Sequence, residues 1–282
     1  MKTKKVIALI ISFILIVLGS MIVGLSLYLA DFDFSKFNSL NVVENTYTIK
    51  EDFTSISAKS LECDIRLSLS ENDECKVICR EYTKVAHKAA VEDNTLTITR
   101  EDSRKWYDYI GVFIDKTEII VFLPKAEYEA LNIGGATGDI DVPDDFKFKN
   151  ITLSTNTGDI YLASEVKEDL SITTSTGDVE ILNTKPKNVS IVSDTGDIEL
   201  TGTIASENIT ISTDTGDIEL SECDAKNLLL SSDTGDISGT LLSGKIFKAK
   251  SNTGDITVPL STSGGACEIE TDTGDIYIKA NK

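Results

Sequence analysis

From residue 130 onward the chain repeats itself, and that repeat governs what it can fold into. Thr-Gly-Asp occurs eight times, on Gly138, Gly158, Gly177, Gly196, Gly216, Gly235, Gly254 and Gly274, always 19 or 20 residues apart. A fixed period near 20 marks stacked repeats, each too small to bury its apolar face alone. Aligned on the glycine, the copies share four apolar columns. Two residues after it stand Ile140, Ile160, Val179, Ile198, Ile218, Ile237, Ile256 and Ile276, and four after it Val142, Leu162, Ile181, Leu200, Leu220, Gly239, Val258 and Ile278. Five before it come Ile133, Leu153, Ile172, Ile191, Ile211, Leu230, Ala249 and Ile269, and seven before it Leu131, Ile151, Leu170, Val189, Ile209, Leu228, Phe247 and Cys267. Thr, Ser and Glu alternate with them, which is the period of strands with one buried face. Cys267 fills its column as a small hydrophobe.

Each copy therefore reads strand, turn, strand, polar loop. The loop often ends in Asn or Asp (Asn150, Asp169, Asn188, Asn208, Asn227), residues that favour turns by bonding their own backbone. Two architectures fit. A two-residue Thr-Gly hairpin needs Thr at positive φ, which a β-branched residue resists. Glycine in third place suits a type II corner, although a three-residue hairpin with glycine at a bulge also fits. The near-constant period favours in-register stacking. The expected fold is all-β, a repeat β-solenoid of the parallel β-helix kind with one 19–20-residue coil per repeat. At about 4.8 Å per coil, eight coils make a rod of about 38 Å.

Residues 6–30 form a run of 25 without a charge, long enough to cross a bilayer, which needs about 20. Lys2, Lys4 and Lys5 precede it, and Asp31 and Asp33 follow. The positive-inside rule then puts the N-terminus in the cytoplasm and the rest outside, as a single-pass cell-membrane protein. A cleaved signal peptide would have a shorter apolar region and small residues before the cut; here Tyr28-Leu29-Ala30 precede Asp31. The expected organisation is a cytoplasmic stub at 1–5, a transmembrane helix at 6–30, a capping and degenerate-repeat region at 31–130, and the eight-repeat solenoid at 131–282.

The formal net charge is −19. Taking the three leading lysines from 27 basic residues leaves 24 against 46 acidic ones, so residues 31–282 carry −22. Such a surface repels phosphate backbones, which argues against nucleic acid, and suits cations or solubility alone. The single histidine, His87, lies among Lys84, Lys88 and Glu92 and is expected on the surface. The five cysteines, Cys63, Cys75, Cys79, Cys223 and Cys267, contain no C-x-x-C. A disulfide from Cys63 to Cys75 or Cys79 is conceivable but not favoured.

The N-terminal region looks like worn copies of the same unit. Ile56, Ala58 and Ser60 precede Cys63-Asp64-Ile65 and Leu67, with Cys63 in the glycine place and Asp64 in the aspartate place. Further strand runs are Cys75–Cys79, Thr95–Thr99 and Glu118–Leu123. Residues 101–117, with Trp106, Tyr107, Tyr109 and Phe113, interrupt the pattern and read as a hydrophobic cap on the open edge.

Glu118-Ile-Ile-Val-Phe-Leu-Pro124, then Leu131-Asn-Ile133, then Gly138-Asp139-Ile140 and its serial copies resemble the bacterial putative-adhesin β-strand-repeat proteins, a domain of unknown function. The resemblance spans roughly residues 50–280. It implies one N-terminal membrane helix and, for some members, a link to cell-envelope stress operons; it carries no catalytic residues.

Three chemistries deserve weighing. Asp-Thr-Gly at Asp194, Asp214, Asp233 and Asp272 matches the aspartic-protease loop, but a protease needs two such loops facing across a cleft, and these recur at repeat period. Stacked coils would align Asp139, Asp159, Asp178, Asp197, Asp217, Asp236, Asp255 and Asp275, with Asp194, Asp214 and Asp233 beside them. Neighbouring like charges about 4.8 Å apart repel by about 1 kcal/mol in water. Either each carboxylate accepts backbone N–H groups in its own turn or Ca²⁺ bridges them; the first is preferred. A polysaccharide-active enzyme would need a unique acidic cluster breaking the repeat, and residues 130–282 show none. No catalytic, metal-binding or cofactor-binding residue is assigned, and no cofactor. The chain reads as a membrane-anchored structural or interaction protein of the cell envelope, not an enzyme. Its partner would be an envelope component or another membrane protein. The alternatives are an envelope-stress accessory protein that senses cationic peptides or metal ions and, ranked below it, a polysaccharide-active solenoid enzyme.

Overall fold

A computed structural model describes residues 2–33, 40–109, 113 and 115–280. It opens on helix α1 (Lys2–Leu29). Its stretch Leu9–Leu29 has a mean hydropathy of 2.6 and is nowhere packed inside the protein. Phe13, Ile16, Met21 and Leu25 are all exposed. A helix that is apolar all round and packed on nothing needs an apolar solvent.

The remaining described elements are nearly all strands. Seven come first: β1 (Val42–Ile49), β2 (Ser55–Glu62), β3 (Asp64–Leu69), β4 (Cys75–Tyr82), β5 (Val85–Glu92), β6 (Thr95–Asp102) and β7 (Glu118–Leu123). Each Thr-Gly-Asp copy then supplies a strand on either side of its turn. These are β8 (Glu127–Thr137) with β9 (Ile140–Val142), β10 (Lys147–Thr157) with β11 (Ile160–Leu162), and, after the short β12 (Glu165–Val166), β13 (Asp169–Thr176) with β14 (Val179–Leu182). The series continues with β15 (Asn188–Thr195) and β16 (Ile198–Thr201), β17 (Asn208–Thr215) and β18 (Ile218–Cys223), and β19 (Asn227–Thr234) and β20 (Ile237–Leu241). It finishes with β21 (Lys245–Thr253) and β22 (Ile256–Thr257), then β23 (Gly265–Thr273) and β24 (Ile276–Ala280).

First strands stack on first strands and second strands on second strands, parallel and in register. Ile151 pairs with Leu170, Leu170 with Val189, Val189 with Ile209, and Ile209 with Leu228. The result is two 12-stranded sheets facing each other across one core, the expected solenoid. The aligned columns fill that core: Ile160, Leu162, Leu170, Ile172, Ile191 and Leu200 are each at most 1% exposed. Burying each such side chain is worth about 1.5–3 kcal/mol.

The glycine of each turn has two reasons to be glycine. Its φ lies between +122° and +156°, wider than the about +80° of a type II corner. A Cβ there would also stand 2.0–2.3 Å from a carbonyl oxygen of the neighbouring coil. Successive turns are stacked too closely for any side chain.

At both ends the stacking order departs from sequence order. In one sheet β24 lies between β20 and β22, and in the other β23 lies between β19 and β21. The eighth repeat is thus inserted between the sixth and the seventh. Apolar strength explains the choice. Cys267, Ile269, Ile276 and Ile278 of the eighth repeat are buried, whereas Phe247, Ala249 and Val258 of the seventh are only partly covered. The weaker repeat forms the tip, where Lys248 and Lys250 on β21 pair with Glu268 and Glu270; edge lysines of this kind discourage further strand addition. At the other end β2 and β3 sit between the first repeat and the β6/β7 layer. Cys63 and Asp64 fall where glycine and aspartate were expected, directly under Gly138 and Asp139. Beyond β6 and β7 the pairing turns antiparallel, through β4 with β7, β1 with β4, and β5 with β6.

Candidate functional site

The aspartates do form one column, and their hydrogen bonds differ in one respect from expectation. Each carboxylate below the tip residue Asp255 accepts the backbone N–H of the aspartate in the next coil, not one in its own turn. Asp64 Oδ1 takes the N–H of Asp139 at 3.1 Å, Asp139 that of Asp159 at 2.9 Å, Asp197 that of Asp217 at 2.8 Å and Asp217 that of Asp236 at 2.7 Å. The series closes with Asp236 to Asp275 and Asp275 to Asp255, following the inserted eighth repeat. A hydrogen bond to an ionised acceptor is a strong one, and it offsets part of the repulsion between neighbours. Asp194, Asp214 and Asp233 line up beside this column, exposed. They stand side by side on successive coils and do not face one another across a cleft, so no protease geometry arises. The loop asparagines also bond across coils: Asn188 Nδ2 donates to Asp169, Asn208 to Asn188, and Asn227 to Asn208, at 2.8–3.0 Å. Among the described residues no group of three or more His, Cys, Asp or Glu is placed to hold a metal ion.

A buried hydroxyl column escaped the sequence reading. Thr155, Thr174, Ser193, Thr213, Ser232 and Thr271 stand three before their glycines and are at most 3% exposed. Several reach the glycine carbonyl of an adjoining coil, as Ser232 does to Gly216 at 3.1 Å and Thr271 to Gly235 at 3.0 Å. Their position continues the inward alternation of the two apolar columns before them. Parity alone would have found them, although their polarity argued otherwise.

All five cysteines are buried and free. Burial pushes the thiols of Cys63, Cys75, Cys79 and Cys267 up to about 12 and that of Cys223 to about 11, so none carries a nucleophilic thiolate near neutral pH.

Two expectations about the cap are overturned. His87 is buried, at 3% exposure, because β5 turns Val85 and His87 inward together. Residues 101–117 do not form a hydrophobic plug either: Trp106, Tyr107 and Tyr109 lie in a 3₁₀ turn with no buried residue and are 76%, 49% and 56% exposed. Residues 110–112 and 114 of that segment lie outside the described residues. The turn is pinned by polar contacts. The Arg104 guanidinium lies 4.3 Å over the Tyr109 ring, Lys84 pairs with Asp108, and Tyr109 Oη donates to Asp102.

Between this insert and the cap strands lies a cavity of about 200 Å³, walled by Cys63, Glu81, His87, Arg100, Arg104 and Phe113 among others. Glu81, 1% exposed, continues the inward face of Cys75, Val77 and Cys79 on β4. Its carboxylate accepts from Asn45 Nδ2 at 2.5 Å, from the His87 backbone N–H at 2.6 Å and from His87 Nδ1 at 2.7 Å. Since the carboxylate only accepts, Nδ1 carries the proton. Arg100 Nη2 donates to Glu62 and Asp102, and Arg104 donates to the same two carboxylates. The bonds from Arg104 hold the Asp102 carboxyl well below the usual carboxylate range. Two buried polar atoms here have no partner among the described residues, His87 Nε2 and Arg100 Nε. An unpaired buried polar atom is costly enough to need an explanation.

Comparison with known proteins adds the family. No curated protein matches the chain. Among solved structures it is similar to a putative lipid binding protein from Parabacteroides distasonis ATCC 8503, at 17% identity and a TM-score of 0.50 over 85% of this chain and 97% of that one. It is also similar to a putative adhesin from Bacteroides fragilis NCTC 9343, at 18% identity and a TM-score of 0.45 over 85% and 97%. The family model described as Toastrack DUF4097 matches residues 53–207 and 187–282, which together take in nearly the whole two-sheet rod, and the chain belongs to that family.

Proposed function

We propose that this protein is a membrane-anchored, extracytoplasmic interaction protein of the bacterial cell envelope, holding its solenoid outside the cell by α1. The observation that carries this reading is the pairing of an unpacked apolar helix, Leu9–Leu29, with a following segment of net charge −22. Lysines on one side of the helix and aspartates on the other support an N-terminus in the cytoplasm. The division into a stub at 1–5, a span at 6–30, a cap at 31–130 and a solenoid at 131–282 belongs to the same proposal. In spheroplasts, an externally added protease should remove the domain while leaving α1 in the membrane through an alkaline wash. Digestion only after permeabilisation would overturn the orientation.

A second reading, that the domain senses cationic peptides or metal ions, is favoured by the two exposed aspartate rows. A polycation such as spermine should then raise the melting temperature more than salt of equal ionic strength, and Asp197→Asn with Asp217→Asn should remove the difference. Equal effects of spermine and salt would sink it.

A further inference from the structure

Trp106, the single tryptophan of the chain, stands with Tyr107 and Tyr109 on one exposed 3₁₀ turn of the cap. Apolar residues exposed singly are ordinary on a protein surface, but a cluster of aromatic rings marks a contact. The turn is also pinned so as to keep them out. Lys84 pairs with Asp108, Arg104 stacks on Tyr109, and the Trp106 and Tyr107 rings meet edge to face with centroids 5.8 Å apart. We infer that this aromatic turn is a second membrane contact, docking the cap into the interfacial layer of the same bilayer that α1 crosses. The inference rests on the anchored reading proposed above and adds to it a surface of the folded domain that touches lipid.

The connectivity of the chain chooses the partner. Between Leu29, where α1 ends, and Asn41 lie the 11 residues 30–40, which can span at most about 40 Å. Asn41 is tied to the corner where the turn sits. Its carbonyl accepts the N–H of Thr83 at 3.0 Å, and the carbonyl of the next residue, Lys84, accepts the N–H of Ser103 at 2.9 Å. On the other side of Thr83, Tyr82 packs edge-on against Phe113. The aromatic turn therefore lies at the corner where the anchor joins the domain, whereas the exposed Ile246 and Ile256 of the seventh repeat lie at the far tip of the rod. Tryptophan and tyrosine suit that place: each is an apolar body with one polar tip, for a layer that is apolar on one side and wet on the other. Charge decides the kind of contact. Lys84 is matched by Asp108, and Arg100 and Arg104 by Glu62 and Asp102, while the chain as a whole is acidic. Anionic headgroups would gain little from the turn and would repel the rest of the domain. The rings themselves make the contact, so it needs no anionic lipid and is not displaced by salt.

Trp106 is its own reporter, since no other residue of the chain gives indole fluorescence. The full chain would be reconstituted into phosphatidylcholine vesicles, either plain or brominated on the acyl chains near the headgroup or near the methyl end; bromine quenches an indole it touches. Vesicles floated after an alkaline wash should retain the protein. Trp106 should be quenched more by the shallow bromines than by the deep ones, and equally at low and high salt. Tyr107→Ser with Tyr109→Ser should weaken the quenching and shift the Trp106 emission to the red, with the circular dichroism spectrum unaltered. A flexible insertion of about 12 Gly and Ser residues after Asp33 separates docking from nearness: a docked turn stays quenched, and a merely tethered one does not. Protein that floats with Trp106 unquenched overturns the inference and leaves the anchor standing, whereas protein that washes off overturns the anchor and the inference with it. Quenching that is lost at high salt or with the longer link, or undiminished in the double variant, overturns the inference as well. So does an unquenched Trp106 whose emission moves to the blue as protein density in the vesicles rises, which would assign the turn to a second copy of the chain.

Discussion

A Cβ at position 196 would sit 2.1 Å from the carbonyl oxygen of Gly177, on backbone with φ of +138°. Overpacking and left-handed strain each cost about 1–3 kcal/mol. Gly196→Ala is therefore expected to lower stability by about 3 kcal/mol or more, seen as a fall in the urea midpoint. Asp217 behaves differently. Asp217→Asn keeps an oxygen for the Asp236 N–H and removes one charge from the column, so its stability should match or slightly exceed that of the parent. Asp217→Ala should cost about 0.5–1 kcal/mol by leaving that N–H to water. The five thiols set an alkaline limit. Their proton is bound more tightly in the fold than in the unfolded chain, so their contribution is intact below pH 9 and is lost between pH 9 and about 12. Denaturation midpoints should fall across that window, and a thiol reagent at pH 7 should label the protein only after unfolding. At this scale the sequence was legible where a position recurs: eight glycines and four apolar columns declared themselves by repetition. His87 and Glu81 occur once each. Only the parity of Val85 with His87, and of Cys79 with Glu81, pointed inward, and the charged neighbours of His87 pointed the other way.

Each interior coil touches only the coils above and below it, so its loss should shorten the rod without unmaking it. Deleting residues 178–196 joins Gly177 to Asp197 and preserves the phase of every column. The expected product is folded and parallel-stranded, with a modestly lower melting temperature. Ending the chain after Ser263 removes β23 and β24, whose Cys267, Ile269, Ile276 and Ile278 are buried between neighbours. That leaves the weak seventh repeat to cover β19 and β20, and the truncation should lower the melting temperature more than the interior deletion does. Comparing the two by circular dichroism tests whether the inserted coil is a structural closure. The strands and their inward faces could be read from the period. The order of coils could not, because apolar columns state which side chains point inward and are unchanged when two coils trade places. The aromatic insert misled for a related reason: four aromatics in the 17 residues 101–117 read as a plug, but Arg104, Lys84 and Asp108 hold the turn to the outside of the cap.

Over the whole molecule the −22 charge on residues 31–282 is spread along a rod of roughly 50 Å, counting about 4.8 Å for each strand spacing in the longer stack. Exposed like charges are screened within about 10 Å at 0.1 M salt, so the melting temperature should rise with added NaCl. Millimolar Ca²⁺ should add nothing beyond a matched ionic strength; a specific rise, lost with Asp197→Asn and Asp217→Asn, would turn the aspartate column into a metal site. The displaced eighth repeat has a further effect, on how such a protein can change over generations. With both tips made from specialised segments that interlock out of order, neither end of the gene can simply gain a repeat. Duplication is free only in the uniform middle, where every added coil restores the same pairing above and below it. Lineages of this protein should therefore differ in reach while keeping the same two tips, each extra copy moving the free tip about 4.8 Å farther from the cap.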